Sequence, residues 1–108
     1  AKAAATPGPA YVHILSVCPT GWRSPTDTIN RQARLAVETG VFPLYEVENG
    51  KYKMSVDLPK LRPVTDYTKV QGRFRHLTPD VLEKIQERVI QEYNIVLERA
   101  NDAKRTKK

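Results

Sequence analysis

A chain of 108 residues with 40% apolar and 28% charged positions has room for one small core, and this balance excludes a disordered polar tract or a fibrous repeat. No apolar run reaches the roughly 18 residues of a membrane-spanning helix, and the opening Ala1-Lys2-Ala3-Ala4-Ala5 lacks an initiator methionine and a signal-peptide pattern, so the chain is expected to begin within a longer protein. One cysteine rules out an internal disulfide and points to a reducing, cytoplasmic compartment, while much of the net charge of +6 lies in Lys104-Arg105-Thr106-Lys107-Lys108.

In chain order, residues 1–9 read as a helix end followed by a Pro/Gly turn, Thr6-Pro7-Gly8-Pro9. Residues 10–17 are apolar at nearly every position and rich in β-branched and aromatic side chains, which predicts a strand buried on both faces. It stops at Cys18-Pro19-Thr20-Gly21-Trp22, leaving the thiol at the strand's carboxyl end, where ligands sit in open α/β sheets. Ser24-Pro25-Thr26-Asp27 offers a cap and a proline for a helix with core positions Ile29, Ala33, Ala36 and Val37, stopped by Gly40. Residues 41–47 and 52–56 flank Asn49-Gly50 and predict a hairpin. Residues 58–63 form an irregular connection, a helical turn follows near 65–70, and 71–76 show no period. Thr78 and Pro79 start a last helix, with Leu77 and Leu82 as a staple and a stripe of Leu82, Ile85, Val89, Tyr93 and Val96 running to Ala100. The stripe is assigned to subunit packing, with ordinary intrachain core as the alternative.

The fold class expected is α/β: the last parallel strand and helix of a larger doubly wound domain, plus a hairpin and a C-terminal helix. Residues 1–103 form the domain segment and 104–108 a basic mobile tail. There is no Gly-rich phosphate loop, no Cys-x-x-Cys and no His-Glu-x-x-His. His13 reads as a hydrogen-bonded core residue, and His13 and His76 show no metal-ligand spacing. A lone cysteine after a buried strand is most often an inert small hydrophobe.

Five pieces taken together change the weight on that cysteine: Gly8-Pro9-Ala10-Tyr11-Val12-His13, Cys18-Pro19-Thr20-Gly21-Trp22, Ala36-Val37-Glu38-Thr39-Gly40, Phe42-Pro43-Leu44-Tyr45-Glu46 and Gln71-Gly72-Arg73-Phe74. Over residues 7–77 they resemble the C-terminal segment of pyruvate:ferredoxin oxidoreductase β subunits, and enzymes acting on branched-chain 2-oxoacids share much of the pattern. The resemblance implies a subunit that binds thiamine diphosphate with magnesium and a four-iron, four-sulfur cluster, in an enzyme that decarboxylates a 2-oxoacid, reduces ferredoxin and forms an acyl-coenzyme A. Cys18 falls at the position of the fourth cluster ligand. The other three cysteines and the Gly-Asp-containing diphosphate motif are absent from this chain. The implied partners are the remainder of the β subunit, other oxidoreductase subunits, ferredoxin, coenzyme A and the 2-oxoacid; neither membrane nor nucleic acid is expected.

Lys60, Arg62, Arg73 and Arg75 are a loose basic set, read as a solvated face or inter-subunit contact, or else a steering patch for acidic ferredoxin or coenzyme A phosphates. Trp22 reads as core or rim packing, with a place beside the cluster as the alternative. Two competing functional readings are a small basic nucleic-acid-binding module and a purely structural assembly module. Against the former, the aromatic residues do not interleave with the basic ones.

Overall fold

The computed structural model describes residues 2–106. Helix α1 covers Lys2–Ala5 and α2 covers Pro19–Trp22; a 3-10 turn over Thr26–Thr28 leads into α3, Ile29–Glu38. Strands β1, Tyr45–Glu48, and β2, Lys51–Met54, are followed by α4, Val64–Thr68, a 3-10 turn over Gly72–Phe74, and α5, Pro79–Thr106.

The hairpin forms where Asn49 and Gly50 adopt φ of 52° and 77°, the two left-handed conformations that match a tight turn to strand twist. Its antiparallel register sets Tyr45 opposite Met54, Glu46 opposite Lys53, Val47 opposite Tyr52 and Glu48 opposite Lys51. Two acid–base pairs therefore face each other across the ladder. Both strands are shorter than the sequence suggests, because residues 41–44 are spent bringing the chain off α3, where Phe42 N–H donates to the Ala36 carbonyl at 2.9 Å.

Helix α3 buries Gln32, Leu35 and Ala36, of which only Ala36 belongs to the expected set. Ala33 is exposed and Ile29 and Val37 are half-buried. The helix begins at Ile29 instead of after Ser24, because Pro25 is extended, with φ −61° and ψ 142°. Ser24 Oγ caps nothing. The Gln32 amide donates to Thr28 Oγ1 at 2.7 Å, which lets a polar residue enter the buried face and puts the larger Leu35 at its centre. Gly40 ends the helix as expected, with φ 83°. A Cβ there would lie 3.1 Å from Leu61 Cδ1 and 3.3 Å from Tyr93 Cδ2, so conformation and packing both favour glycine.

The core joins Trp22, Leu35, Ala36 and Tyr67, with Val17, Val41, Phe42, Val70 and Phe74 packed against it. Trp22 is 7% exposed and meets Tyr67 edge-to-face at 5.9 Å; the packing reading of Trp22 holds. Along α5, Tyr93 and Ala100 are buried and Leu82, Ile85, Val89 and Val96 half-buried, which is the expected stripe. Helix α5 packs on the chain's own β2 and α4. Gln86 Oε1 accepts from Val64 N–H at 2.7 Å, tying α5 to α4. Thr78 Oγ1 accepts from Val81 N–H at 3.4 Å, as a cap should. The helix continues past Ala100 to Thr106, so residues 104–106 of the expected tail are helical; Lys107 and Lys108 lie outside the described residues.

Residues 10–17 depart most from expectation. They belong to no strand or helix, and Tyr11, Val12 and Ile14 are 87, 61 and 78% exposed. His13 is exposed too, resting edge-on against Phe42 at 5.2 Å, not within a core. The physical reason is that strands are stabilised in pairs, and among the described residues the only sheet is the hairpin. The parallel sheet expected around this segment is not formed by the described residues. The surface reflects this: the chain exposes 8270 Å², whereas a compact monomer of 12.3 kDa exposes about 6,100 Å². Among the described residues, no helix is long and apolar enough to cross a membrane.

Candidate functional site

Residues 10–17 lead into Cys18 and a tight turn. Cys18 is itself extended, with φ −112° and ψ 102°, and its Sγ accepts the Gly21 N–H at 3.5 Å. The carbonyls of the turn are used in sequence: Cys18 accepts from Trp22 N–H at 2.8 Å, Pro19 from Ser24 N–H at 3.0 Å and Thr20 from Arg23 N–H at 3.3 Å. Pro19, having no N–H, spares the turn a donor that would find no partner. The thiol is exposed, unlike the inert buried cysteine of the plain reading.

Beneath the turn lies a rigid floor. The Arg73 guanidinium stands 4.1 Å from the Trp22 ring centroid and 4.5 Å from that of Phe74, a cation held on aromatic faces. Its Nε donates to Gln71 Oε1 at 2.7 Å and its Nη2 to the Tyr67 hydroxyl at 3.3 Å. Gln71, 2% exposed, is fixed in turn by donating from Nε2 to the Tyr67 carbonyl at 2.8 Å. Arg23, just after the turn, has a left-handed backbone, φ 54°, and its carbonyl accepts the Gly72 N–H at 2.9 Å. A Cβ on Gly72 would lie 2.7 Å from Arg23 Cβ and 2.9 Å from Arg23 O, so only glycine permits this approach.

The basic set divides. Arg62 is committed, with Nη1 to Glu38 at 3.0 Å and Nη2 to Asp66 at 3.1 Å; the Glu38 hydrogen bond above all raises its pKa beyond the ordinary arginine range. Lys60 is exposed elsewhere. Arg73 and Arg75 instead line a cavity of 340 Å³ with Arg23, Gly72 and His76. Sequence reasoning missed Arg23 and His76 in this role, since nothing in the local pattern marks residues that only the Gly72–Arg23 contact brings together.

No family model matches this chain. It is 46% identical over 94 residues to ketoisovalerate oxidoreductase subunit VorB of Pyrococcus abyssi, covering 85% of this chain and 30% of that relative. Pyruvate synthase subunit PorB of Methanocaldococcus jannaschii is 46% identical over 85 residues, 79% of this chain and 28% of the relative. The PorB of Methanothermobacter thermautotrophicus is 45% identical over 89 residues, 82% and 31% respectively. The chain belongs to the β subunits of the 2-oxoacid:ferredoxin oxidoreductases. It spans about a third of the length of these curated relatives.

The cofactors that this β-subunit family implies fit the residues unequally. An exposed thiol accepting a backbone N–H suits one corner of an iron–sulfur cluster, because such hydrogen bonds to sulfur are a normal part of cluster ligation. One thiol is one ligand, and among the described residues no group of three or more His, Cys, Asp or Glu side chains is placed to hold a metal. The described residues offer no ligand set for the magnesium that accompanies thiamine diphosphate, and the chain lacks the Gly-Asp-containing motif.

Proposed function

We propose that this chain is the C-terminal segment of a β subunit in a 2-oxoacid:ferredoxin oxidoreductase that oxidatively decarboxylates pyruvate to acetyl-coenzyme A and reduces ferredoxin. Its own contributions are one cluster ligand, Cys18, and a strand that completes the subunit's doubly wound sheet. The observation that carries the reading is an exposed thiol on a hydrogen-bonded turn, in a chain similar to PorB and VorB subunits. The bound cluster would supply one-electron transfer between the oxidised substrate and ferredoxin. Thiamine chemistry is assigned to sequence outside this chain.

Cys18 meets what a lone remote ligand needs. Three other thiolates cannot orient it, so its own backbone must, and the turn fixes the Sγ position through Gly21 N–H and the Trp22 N–H to Cys18 carbonyl bond. Residues 10–17 meet what an incoming strand needs: a backbone in no other element, β-branched composition and exposed apolar side chains. Their proposed occupant is the sheet edge of the remaining two-thirds of the subunit. The surface beyond that of a compact monomer, roughly 2,000 Å², is large enough for such a contact.

The test uses the assembled oxidoreductase with Cys18→Ala and Cys18→Ser. Expected are a lower iron content and loss of the reduced-cluster paramagnetic resonance signal, with ferredoxin reduction falling at least about tenfold. Wild-type iron content and signal in both variants would remove Cys18 from the ligand set. Parallel assays with pyruvate and ketoisovalerate assign the substrate, with the higher kcat/KM expected for pyruvate.

A further inference from the structure

Beside the Cys18 turn, the 340 Å³ cavity is lined by Arg23, Arg73, Arg75 and His76 around Gly72. We propose that it is a phosphate pocket, taking the phosphoryl group of a small ligand. The inference is independent of the redox reading.

Charge is the first argument. Three guanidinium groups gathered round one concavity repel one another, and among the described residues no ion pair joins Arg23, Arg73, Arg75 or His76 to a carboxylate. Arg62, by contrast, is seated on Glu38 and Asp66, and Arg88 on Glu92. At the cavity the cationic charge is left uncompensated, as an anion site requires.

The second argument is that the site is built. Arg73 is aligned by neutral partners only: Gln71 Oε1, the Tyr67 hydroxyl and the face of Trp22. Gln71 and Tyr67 are 2% and 5% exposed, so their positions are set by the core. They orient the guanidinium without neutralising it, leaving its full charge and its remaining N–H groups for a ligand. Arg23 is turned to the same cavity by a left-handed backbone, secured through Gly72 N–H to its carbonyl and the missing Cβ of Gly72. Two basic residues 50 positions apart in sequence thus meet by a specific backbone contact.

Ligand class follows from donor number and size. Three planar forks and an imidazole offer more donors than one carboxylate can accept, whereas a phosphoryl group presents three oxygens and up to two negative charges. The volume lies at the small end of ligand pockets, roughly 300–1,000 Å³, suiting a phosphate, a diphosphate or the phosphate end of a nucleotide.

The 108-residue chain, labelled with nitrogen-15, is titrated at low ionic strength with inorganic pyrophosphate, with adenosine diphosphate and with succinate. Saturable shifts of the Gly72 amide and the Arg73 Nε–H are expected with both phosphates. Tighter binding of adenosine diphosphate assigns the phosphoryl group to a nucleotide, and equal or weaker binding to free phosphate. Arg75→Gln and Arg23→Gln should each weaken binding at least about tenfold, Arg75→Lys less so, and Lys104→Gln with Arg105→Gln not at all. Unchanged Asn49 and Gly50 amides verify the fold of each variant, and Arg75→Lys, which keeps the charge, stands in for one that unfolds. Succinate binding as tightly as pyrophosphate, absence of saturation, or equal loss on changing Lys104 and Arg105 would each overturn the phosphate pocket.

Discussion

Gly72→Ala is the sharpest test of the packing beneath the cysteine turn. The new methyl group would meet Arg23 Cβ at 2.7 Å and Arg23 O at 2.9 Å. Neither is the end of a flexible side chain, so the backbone must yield. Overpacking of this kind costs roughly 1–3 kcal/mol, and losing the 2.9 Å Gly72 N–H to Arg23 carbonyl bond adds about 1 kcal/mol. Lower entropy of the unfolded chain offsets roughly 0.4–1 kcal/mol. The net destabilisation is about 1–3.5 kcal/mol, a large share of the margin of a small domain. Trp22 is the chain's one tryptophan and touches this floor, so urea unfolding followed by its fluorescence reports the change. With a slope of roughly 1–2 kcal/mol per molar urea, the midpoint should fall by at least about 0.5 M. Gly21→Ala is the control: its Cβ would sit 3.5 Å from Cys18 Sγ, an ordinary contact, and the midpoint should barely move. Equal midpoints for Gly72→Ala and Gly21→Ala would refute the close approach.

Leu35→Ala should cost roughly 2–5 kcal/mol because Leu35 is 2% exposed, whereas Ala33→Ser, on the exposed side of α3, should stay within about 1 kcal/mol; the reverse ranking would restore the face expected from sequence. Tyr93 has its pKa raised above the usual 10.0, first by burial and then by Asp57. A raised folded-state pKa gives stability that is complete below pH 10.0 and lost as pH climbs through the higher folded value. Alkaline unfolding above that pH should therefore be weaker in Tyr93→Phe, measured by circular dichroism from pH 8 to 12. Ile14→Asp, at a position 78% exposed, should leave urea unfolding of this chain unchanged and prevent its co-purification with the rest of the oxidoreductase subunit.

Legibility in the sequence followed the range of the forces involved. Asn49-Gly50 fixed the hairpin because two left-handed residues in succession are a local requirement, and Gly40 ended α3 for a similar reason. The α5 stripe was legible because periodicity alone selects its face. On α3 the same reasoning failed by part of a turn. Gln32 has no apolar signature, yet its amide finds Thr28, and the helix turns accordingly. The 10–17 segment was legible as β-prone but not as unpaired, since pairing depends on strands elsewhere. Of the site, Cys18 was visible as a position. The Arg23–Gly72 contact was not, because the clash that makes glycine necessary exists only after folding.

That contact links the two proposed sites. On the ligand reading, Cys18 Sγ must be held to within about half an ångström to complete a cluster, although the chain before it, residues 10–17, makes no sheet within the described residues. Positional restraint therefore comes from the C-terminal side of the thiol. Trp22 is clamped between Tyr67 and Arg73, Arg23 is pinned by Gly72, and the Cys18 and Thr20 carbonyls accept the Trp22 and Arg23 N–H groups. Arg73 belongs to that clamp and to the cavity wall at once. An anion drawing on its free N–H groups would stiffen the floor under Trp22, and through it the turn that presents the thiol. Binding and ligand geometry are then thermodynamically coupled, so pyrophosphate should move the Gly21 amide, the donor to Sγ, as well as Gly72. A Gly21 signal that stays fixed while Gly72 saturates would show the two sites to be independent neighbours.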